Sequence, residues 1–328
     1  MEDHFSFTKD LFDPSKIKEK PEVFKGIRVL DFSHVIYGPI AARLLAQYGA
    51  EVIKVELPFT GDLWRFGVYW GNFWKHSSIC FHFVQYNKYF LSVNLKLPKA
   101  KDLIYKLAEN VDVVVENFAA GTAEAWEVGY SQLSKINPKI VYLSCATYGQ
   151  YGPMRFLPGW DLLAQAASGA ISLTGYPGTD KYYKLPDYVG DFLPGTIGAL
   201  SLMMGLYYRN KTGKGQYIDL AQSEALLRML PNFTYFSITN EELERVGNTD
   251  PTMAPSGIFK SADGRFIALA IATEEQFRAL SSAIGDAELT TRYKNGFERL
   301  KPENAKQLYQ IAAEWVGQKN SVEIVNLA

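Results

Sequence analysis

Three consecutive pieces decide the fold class: Ile27-Arg-Val-Leu-Asp-Phe32, the segment 39–48, and Glu51-Val-Ile-Lys-Val-Glu56. The first and last are short apolar runs typical of buried strands. Between them, Pro39 opens a helix and Gly49 closes it, in the positions that these residues favour. A strand, a helix and a second strand this close together predict a βαβ unit, whose strands are parallel and joined by a right-handed crossover.

The same alternation continues along the chain. It predicts strands over 91–95, 111–117 and 140–146, with helices over 98–109 and 131–136. Repeated βα units indicate an α/β fold with a Rossmann-like, doubly wound sheet. In such a fold we expect ligands to bind beyond the carboxyl ends of the strands.

The second half has a different pattern. Lys211-Thr-Gly-Lys-Gly-Gln216 predicts a turn before a strand over 217–220 and a helix from Ser223. The stretch 232–250 is weakly patterned, and a β-hairpin with Asp263-Gly264 at its turn is predicted over 257–270, followed by helices over 274–284 and 303–315. We therefore predict a large Rossmann-like domain over 1–221, a linker over 222–250 and a smaller α+β domain over 251–328.

Composition excludes several function classes. A net charge of −1 provides no field to recruit nucleic acid or an anionic membrane. Two cysteines form no disulfide framework, the amino terminus lacks a secretory signal, and no apolar stretch looks long enough to span a membrane, so we expect a cytoplasmic protein. The four histidines show no zinc spacing with the cysteines, and the three-glycine dinucleotide fingerprint is missing, so we expect no metal and no tightly bound cofactor.

The candidate nucleophile is Asp191, in Pro186-Asp-Tyr-Val-Gly-Asp-Phe-Leu-Pro-Gly195. It follows a short β-prone run and precedes a predicted helix over 194–209. A carboxylate at the positive end of a helix can stay ionised although partly desolvated, and it can attack an electrophile. The alternative is that Asp191 is only a helix N-cap.

The sequence resembles the family III CoA-transferases, the CaiB/BaiF-like group that includes formyl-CoA transferase and carnitine CoA-transferase, over essentially its whole length. The order and spacing of the matching stretches carry this resemblance: Gly26-Ile-Arg-Val-Leu-Asp-Phe-Ser-His34, Gly49-Ala-Glu-Val-Ile-Lys-Val-Glu56, Asn87-Lys88, Ser92-Val-Asn-Leu-Lys96, Asp112-Val-Val-Val-Glu-Asn-Phe118, Gly149-Gln-Tyr-Gly-Pro153, Ala164-Gln-Ala-Ala-Ser-Gly169, Gly190-Asp191 and Lys211-Thr-Gly-Lys-Gly-Gln216.

The resemblance implies a reaction. The residue matching Asp191 attacks a donor acyl-CoA to give a mixed anhydride, which the released CoA thiolate converts to an aspartyl thioester. An acceptor carboxylate then takes over the acyl linkage, and CoA returns to form the new acyl-CoA. The resemblance also implies two interlocked ring-like subunits, so the expected partners are acyl-CoA, a carboxylic acid and a second copy of the chain.

Further site residues follow from the resemblance. The expected CoA contacts are Val35, Ile36, Tyr37, Val93, Lys96, Asn117 and Phe118. Asp161 falls where relatives carry a carboxylate near the nucleophile, although it also fits a helix N-cap. Three phosphate-binding cations of some relatives are here Leu57, Ala125 and Pro158, which leaves Arg43, Lys88 or Arg65 as candidate substitutes.

Two other functions on this scaffold stay open. An acyl-CoA racemase or epimerase would need a histidine just before Asp161, and Trp160 stands there. A non-catalytic subunit of a heteromeric transferase would explain the missing cations. The resemblance also leads us to expect a C-terminal return to the large domain, which is not found before Ala328.

An aromatic stretch, Leu63-Trp-Arg-Phe-Gly-Val-Tyr-Trp-Gly-Asn-Phe-Trp74, follows the second strand. Core or interface packing is one interpretation of these rings. The other is that Trp64, Trp70 and Trp74 wall an acyl pocket, which would favour a bulky apolar or aromatic acid, or a quaternary ammonium acid.

Overall fold

The computed structural model describes residues 22–67 and 71–327, together with Asp13 and Ser15. The strands in the described part are β1 (Arg28–Asp31), β2 (Glu51–Glu56), β3 (Phe73–Trp74), β4 (Ser77–Ser78), β5 (Lys88–Ser92), β6 (Val113–Glu116), β7 (Val141–Ala146), β8 (Gln216–Ala221), β9 (Gly257–Lys260) and β10 (Phe266–Leu269). The α-helices there are α1 (Tyr37–Gln47), α2 (Ile79–Gln85), α3 (Pro98–Ala108), α4 (Thr122–Ala125), α5 (Tyr130–Ile136), α6 (Asp161–Ala167), α7 (Ala170–Leu173), α8 (Val189–Thr212), α9 (Gln222–Leu227), α10 (Asn232–Thr239), α11 (Glu274–Ile284), α12 (Leu289–Arg292), α13 (Gly296–Arg299), α14 (Pro302–Gly317) and α15 (Ser321–Leu327).

A six-stranded parallel sheet forms the first unit, in the order β5-β2-β1-β6-β7-β8. Helices cover both faces, so the central strands are buried on both sides. Val29 and Val113 point to the face covered by α1 and α8, while the next residues, Leu30 and Val114, point to the face covered by α3 and α5. The predicted α/β class with a parallel sheet is confirmed.

Helix α8 packs closely against the sheet and against α1. A Cβ at Gly205 would lie 2.6 Å from Cγ1 of Val141, and one at Gly195 would lie 2.7 Å from the carbonyl oxygen of Tyr37. Leu202 and Leu206 fill the space between helix and strands. The 24-residue helix is long and apolar enough to cross a membrane by length and composition, and half of its apolar window is buried. The expectation that no apolar stretch is long enough to span a membrane was therefore wrong by length and composition.

Most predicted elements lie within two residues of the observed ones, with two informative exceptions. Strand β5 spans Lys88–Ser92 instead of 91–95, because pairing with β2 starts directly after the left-handed turn at Asn87 (φ 61°). Helix α8 starts at Val189 instead of Pro194.

The described residues divide into two compact units. The first contains the chain up to Ala170 together with Lys184–Phe233, and the second contains Ile171–Tyr183 with the chain from Thr234 onwards. The first unit thus extends beyond residue 221 and includes α9, and the stretch predicted as a linker carries α10. A linear prediction of domains does not anticipate the contribution of Ile171–Tyr183 to the second unit.

The second unit contains the predicted hairpin, in which β9 and β10 pair antiparallel with Lys260 opposite Phe266. Gly264 takes the left-handed conformation that the turn requires (φ 80°). Helix α11 begins with a capping box between Thr273 and Gln276. Its Phe277 packs in an apolar core with residues of α14, so this part has the predicted α+β composition.

Two buried lysine–aspartate pairs lie under the loop that follows β1. Lys88 Nζ is 2.8 Å from Asp31 Oδ2 and also donates to Gln85 Oε1 (2.7 Å), while Lys54 Nζ is 3.1 Å from Asp62 Oδ2. Lys54 also donates to the carbonyl oxygen of Ser33. Burial lowers the pKa of Lys88 to about 8 against the opposing effect of Asp31. The charges are thus held inside the protein only because they pair with each other and with the loop.

We predict that Lys88→Met lowers the free energy of unfolding by about 3–5 kcal/mol, since Asp31 would stay buried with an unpaired charge. The double variant Lys88→Met/Asp31→Asn should recover part of that loss. Urea denaturation at pH 7 measures both.

Lys25→Met serves as the control, because the ion pair that the Lys25 side chain makes among the described residues is an exposed 3.8 Å contact with Glu22. Its effect should stay within about 0.5 kcal/mol. A double variant no more stable than Lys88→Met alone would contradict the role assigned to the pair.

Candidate active site

Helix α8 begins in a strained turn. Asp187 (φ 47°) and Tyr188 (φ 56°) are consecutive non-glycine residues in the left-handed region, and the carbonyl of Tyr188 accepts from the N–H groups of Asp191 and Phe192 at 2.9 Å. Each such residue costs about 1–3 kcal/mol, and strain of this kind clusters at functional sites. Asp191 is therefore the third residue of the helix, inside its first turn, instead of lying ahead of it as expected.

Pro194 links this helix start to a glutamine that sequence reasoning missed. Proline has no N–H, so the carbonyl of Gly190, four residues earlier, loses its helical donor. Gln222 Nε2, at the start of α9, donates to that carbonyl oxygen (2.8 Å) and to Asp191 Oδ1 (2.5 Å). Thr147 Oγ1 donates to Gln222 Oε1 (3.1 Å) and fixes the amide. The Gln222 side chain thus satisfies the Gly190 carbonyl, which lacks its helical donor, and also holds the candidate nucleophile in place.

Asp191 is buried, with 7% of its surface exposed. The pKa of Asp191 is raised to about 7, mainly by burial and in addition by the charge of Asp161, while the Gln222 hydrogen bond acts in the opposite direction. Before substrate binds, the carboxyl therefore titrates near neutral pH, whereas the sequence led us to expect a fully ionised group. The N-cap position of the helix is Tyr188, so the interpretation of Asp191 as an N-cap is wrong.

Asp161 lies beside Asp191, as the resemblance implied. It is the first residue of α6, and the N-cap position is that of Trp160. Its Oδ2 accepts from Gln165 Nε2 at 2.8 Å, and its Oδ1 lies against Gly190, where an added Cβ would come within 2.6 Å. Burial raises the pKa of Asp161. Two partly desolvated carboxyl groups therefore share this corner of the fold.

A cavity of about 270 Å³, called here the nucleophile cavity, opens beyond the carboxyl ends of β1, β6 and β7. Asp191 and Gln222 line it, together with five of the predicted CoA contacts: Val35, Ile36, Tyr37, Asn117 and Phe118. Its place relative to the sheet is the one predicted for ligands of α/β folds.

A second cavity of about 490 Å³, the outer cavity, adjoins the first and shares His34 and Phe118 with it. The other two predicted CoA contacts, Val93 and Lys96, line this cavity. Lys96 Nζ lies 5.4 Å from the ring centre of Trp126, which also lines the outer cavity. The predicted contacts are thus divided between two neighbouring cavities.

The loop between the cavities is held in an unusual conformation. Val35 is left-handed (φ 66°), which is rare for a β-branched residue. Its N–H donates to the Asp62 carboxylate at 3.0 and 3.2 Å. Asn117 makes two 2.8 Å hydrogen bonds with the backbone of His34. Asn117 therefore clamps this loop with its amide in addition to lining the nucleophile cavity.

The three suggested substitute cations are engaged in structural roles. Lys88 is buried in its pair with Asp31. Arg65 pairs with Glu56 (2.8 Å) and lies over the ring of Phe81, and Arg43 donates to the Phe83 carbonyl (3.0 Å). None of the three lines the nucleophile cavity or the outer cavity, so the suggestion that they bind CoA phosphates stays a prediction without support from the site. Arg155, an exposed residue lining the nucleophile cavity, was missed by sequence reasoning, since an isolated arginine in a loop carries no pattern.

The tryptophans of the aromatic stretch after β2 do not line one common pocket in the described structure. Trp64 lines a small apolar cavity with Ile36, Tyr188 and Phe192. Trp74 is half exposed, with its ring 4.7 Å from that of His82, and does not line the same cavity. Trp70 lies outside the described residues. Three rings were proposed to form one pocket. Trp64 lines an apolar cavity, as that proposal requires, and Trp74 does not line this cavity.

Comparisons with known proteins agree with this geometry. The sequence profile of CoA-transferase family III matches residues 24–328. Succinyl-CoA–D-citramalate CoA-transferase of Chloroflexus aurantiacus is 31% identical over 297 residues, which cover 90% of this chain and 73% of the relative. The beta subunit of succinyl-CoA–L-malate CoA-transferase from the same organism is 33% identical over 303 residues, covering 92% and 74%.

A solved structure shares the fold as well. The CAIB/BAIF family protein from Brucella suis superposes with a TM-score of 0.78 at 26% identity, over 94% of this chain and 81% of that protein. The parallel sheet, the carboxylate pair at the start of α8 and the match over nearly the whole sequence lead to one assignment: the chain belongs to CoA-transferase family III and is an enzyme of that family.

Proposed function

We propose that this protein moves CoA from an acyl-CoA donor to a carboxylic acid through a covalent intermediate on Asp191. The observation that carries the proposal is the hydrogen bond from Gln222 Nε2 to Asp191 Oδ1. Within the described part of the chain, only that oxygen of Asp191 accepts a hydrogen bond from another side chain. The other oxygen, Oδ2, is left to act as the nucleophile at the cavity that Asp191 lines.

The steps balance without a further reagent. Asp191 Oδ2 attacks the thioester carbonyl carbon, the C–S bond breaks, and CoA leaves as the thiolate while a mixed anhydride forms. The thiolate attacks Cγ of Asp191 and releases the donor acid as its carboxylate. The acceptor carboxylate attacks the resulting aspartyl thioester at Cγ and again expels the thiolate. Attack of the thiolate on the acceptor's acyl carbon then yields the new acyl-CoA and restores Asp191.

Gln222 would contribute at each attack on Cγ. In those steps negative charge develops on the carbonyl oxygen of the aspartyl group, which derives from Oδ1. A donor already held 2.5 Å from Oδ1 can stabilise that charge without reorganisation. Asp161 would act differently, since its charge raises the pKa of Asp191 and favours the neutral carboxyl until substrate binds.

For CoA we propose the two adjoining cavities. The thioester end would lie in the nucleophile cavity, along Val35, Ile36 and Tyr37. The outer cavity, with Lys96, Val93 and Phe118, would take the nucleotide end. Phe118 offers a ring for stacking and Lys96 a cation for a phosphate.

The racemase alternative would require a proton-transferring pair, and Trp160 beside Asp161 cannot exchange a proton. A heteromer is a stronger alternative for assembly, because one relative is named as a beta subunit. We retain the homodimer as the proposal. A cytoplasmic location and the absence of a tightly bound cofactor stay predictions.

We predict that Asp191→Asn abolishes CoA transfer, because an amide is not a nucleophile. Wild-type protein incubated with acetyl-CoA and then with hydroxylamine should carry a hydroxamate at residue 191, detected by mass spectrometry of the peptide. Asp219→Asn is the control, since Asp219 is an exposed residue that accepts from the N–H of Gln150 and lines neither the nucleophile cavity nor the outer cavity. Transfer that persists in Asp191→Asn would refute the assignment of the nucleophile.

The pH at which kcat/KM for acylation falls should shift in opposite directions in two variants. Only ionised Asp191 attacks, so kcat/KM for acylation should fall as pH decreases through a value near 7. Gln222→Leu removes a donor to the charged form and should shift this limb to higher pH. Asp161→Asn removes a neighbouring charge and should shift it to lower pH.

Single-turnover release of CoA between pH 5 and 9, measured on wild type and both variants, tests this pair of shifts. At high pH, where Asp191 is ionised, Gln222→Leu should also slow the complete transfer of CoA to an acceptor acid by about 10²-fold, because the attacks on Cγ lose one oxyanion-stabilising donor. Shifts of the same sign in both variants would exclude the proposed electrostatics.

The assembly prediction rests on an exposed apolar face of α8. Leu200, Met204 and Tyr207 are 50%, 58% and 65% exposed, which leaves large side chains in water on the helix that carries Asp191. Faces of this kind mark contact sites between proteins. We predict a stable dimer by light scattering, and Met204→Glu should weaken it. Lys106→Glu should not, because Lys106 is exposed on α3, which covers the opposite face of the sheet. A stable monomer with full activity would contradict the dimer.

A further inference from the structure

The small apolar cavity containing Trp64 lies next to the nucleophile. It has a volume of about 220 Å³. Its walls are Ile36, Trp64, Cys80, Phe83, Tyr188 and Phe192, with Val84 and Asp187 completing the lining. Ile36 belongs to the walls of both this cavity and the nucleophile cavity. Tyr188 and Phe192 flank Asp191 on the first turn of α8, so the cavity begins one side chain away from the reacting carboxylate.

Aromatic contacts shape the walls. Trp64 meets Tyr188 edge to face with ring centres 5.4 Å apart, and Phe83 meets Phe192 at 5.8 Å. Such pairs favour apolar and aromatic ligands, which can add further ring contacts of the same kind.

The charges around the cavity disfavour a second carboxylate. None of its described lining residues is a lysine, an arginine or a histidine, and the one ionisable acid in the wall is Asp187. Arg43 lies behind Phe83, with its guanidinium 4.8 Å from the ring centre, and does not line the cavity. A carboxylate entering this space would be desolvated without a cation, which costs several kcal/mol.

The volume sets the size of the occupant. An apolar cavity of about 150 Å³ binds benzene. The space beside Asp191 is larger, at about 220 Å³, and so has room for a phenyl ring with one or two methylene groups, or for a branched aliphatic chain of similar size.

We propose that this apolar cavity is the acyl pocket, and that the enzyme acts on monocarboxylic acids with an apolar or aromatic acyl chain. This inference rests on the proposed function of Asp191. It separates the chain from the two relatives described above, whose names specify the dicarboxylic acids succinate, citramalate and malate.

The test compares acylation of Asp191 by phenylacetyl-CoA, acetyl-CoA and succinyl-CoA, with hydroxamate trapping and CoA release as readouts. For wild-type protein we expect kcat/KM for phenylacetyl-CoA to exceed that for succinyl-CoA by at least 10-fold, which corresponds to about 1.4 kcal/mol. A preference for succinyl-CoA would overturn the pocket while leaving the nucleophile assignment intact. Failure of all three donors to acylate Asp191 would overturn the proposed function, and this role of the cavity with it.

Cys80→Phe tests the location of the pocket, because Cys80 lines the cavity and the new ring would fill much of it. We expect phenylacetyl-CoA to lose at least 10-fold in kcat/KM while acetyl-CoA stays within 2-fold. Ile79→Phe is the matched control, since Ile79 is the preceding residue of α2, is half exposed and does not line the cavity. An equal loss for both donors in Cys80→Phe, or the same selectivity change in Ile79→Phe, would refute the assignment.

A readout without catalysis is alkylation of Cys80 in the Asp191→Asn variant. Phenylacetate should slow modification of Cys80 by iodoacetamide, and succinate at equal concentration should not. Equal protection by both acids, or by neither, would count against the pocket.

Discussion

The two buried lysine–aspartate pairs are the constraint on which the site depends. Asp62 accepts from the N–H of Val35 while it pairs with Lys54, and Lys54 in turn donates to the carbonyl of Ser33. Asp31 binds the N–H of Ser33 and pairs with Lys88. The charges are thus compensated by the same loop that they hold in place. A β-branched residue can stay left-handed at this point because the surrounding hydrogen bonds outweigh its strain.

Helix α8 connects the hydrophobic core to the chemistry. Its glycines allow close contact with the sheet, and its Leu202 is completely buried, so the helix is fixed along much of its length. Its first turn is strained and interrupted by Pro194, whose missing N–H leaves the Gly190 carbonyl for Gln222. A defect in the helix therefore recruits the side chain that anchors Asp191. The proposed nucleophile gains its position from tertiary packing, and the Gly190 carbonyl keeps a hydrogen-bond donor.

The proposed acyl pocket is built from other elements than the sheet and the loop after β1. The match to family III covers residues 24–328 and so includes both parts. The aromatic walls contributed by Trp64, Phe83 and Phe192 come from the 3₁₀ turn after β2, from α2 and from α8. Because these side chains contact the site without building the sheet, they can change with the acid that is used, whereas Asp62 and Lys54 cannot change without disturbing the loop itself.

The sequence by itself determined the α/β class, most helix and strand positions and the hairpin, because periodicity, turn residues and motif spacing are local signals. It also predicted Asp191 as the nucleophile, Asp161 as its neighbour and seven CoA contacts, and the structure places those seven contacts around two cavities. Only the tertiary structure decided that Gln222 anchors Asp191 and that Trp64 and Trp74 lie in different surroundings. It also decided that Lys88 and Arg43 make their contacts inside the protein. The reason is that burial, and the pairing that buried charges require, depend on contacts between residues far apart in the chain, for which a local pattern carries no signal.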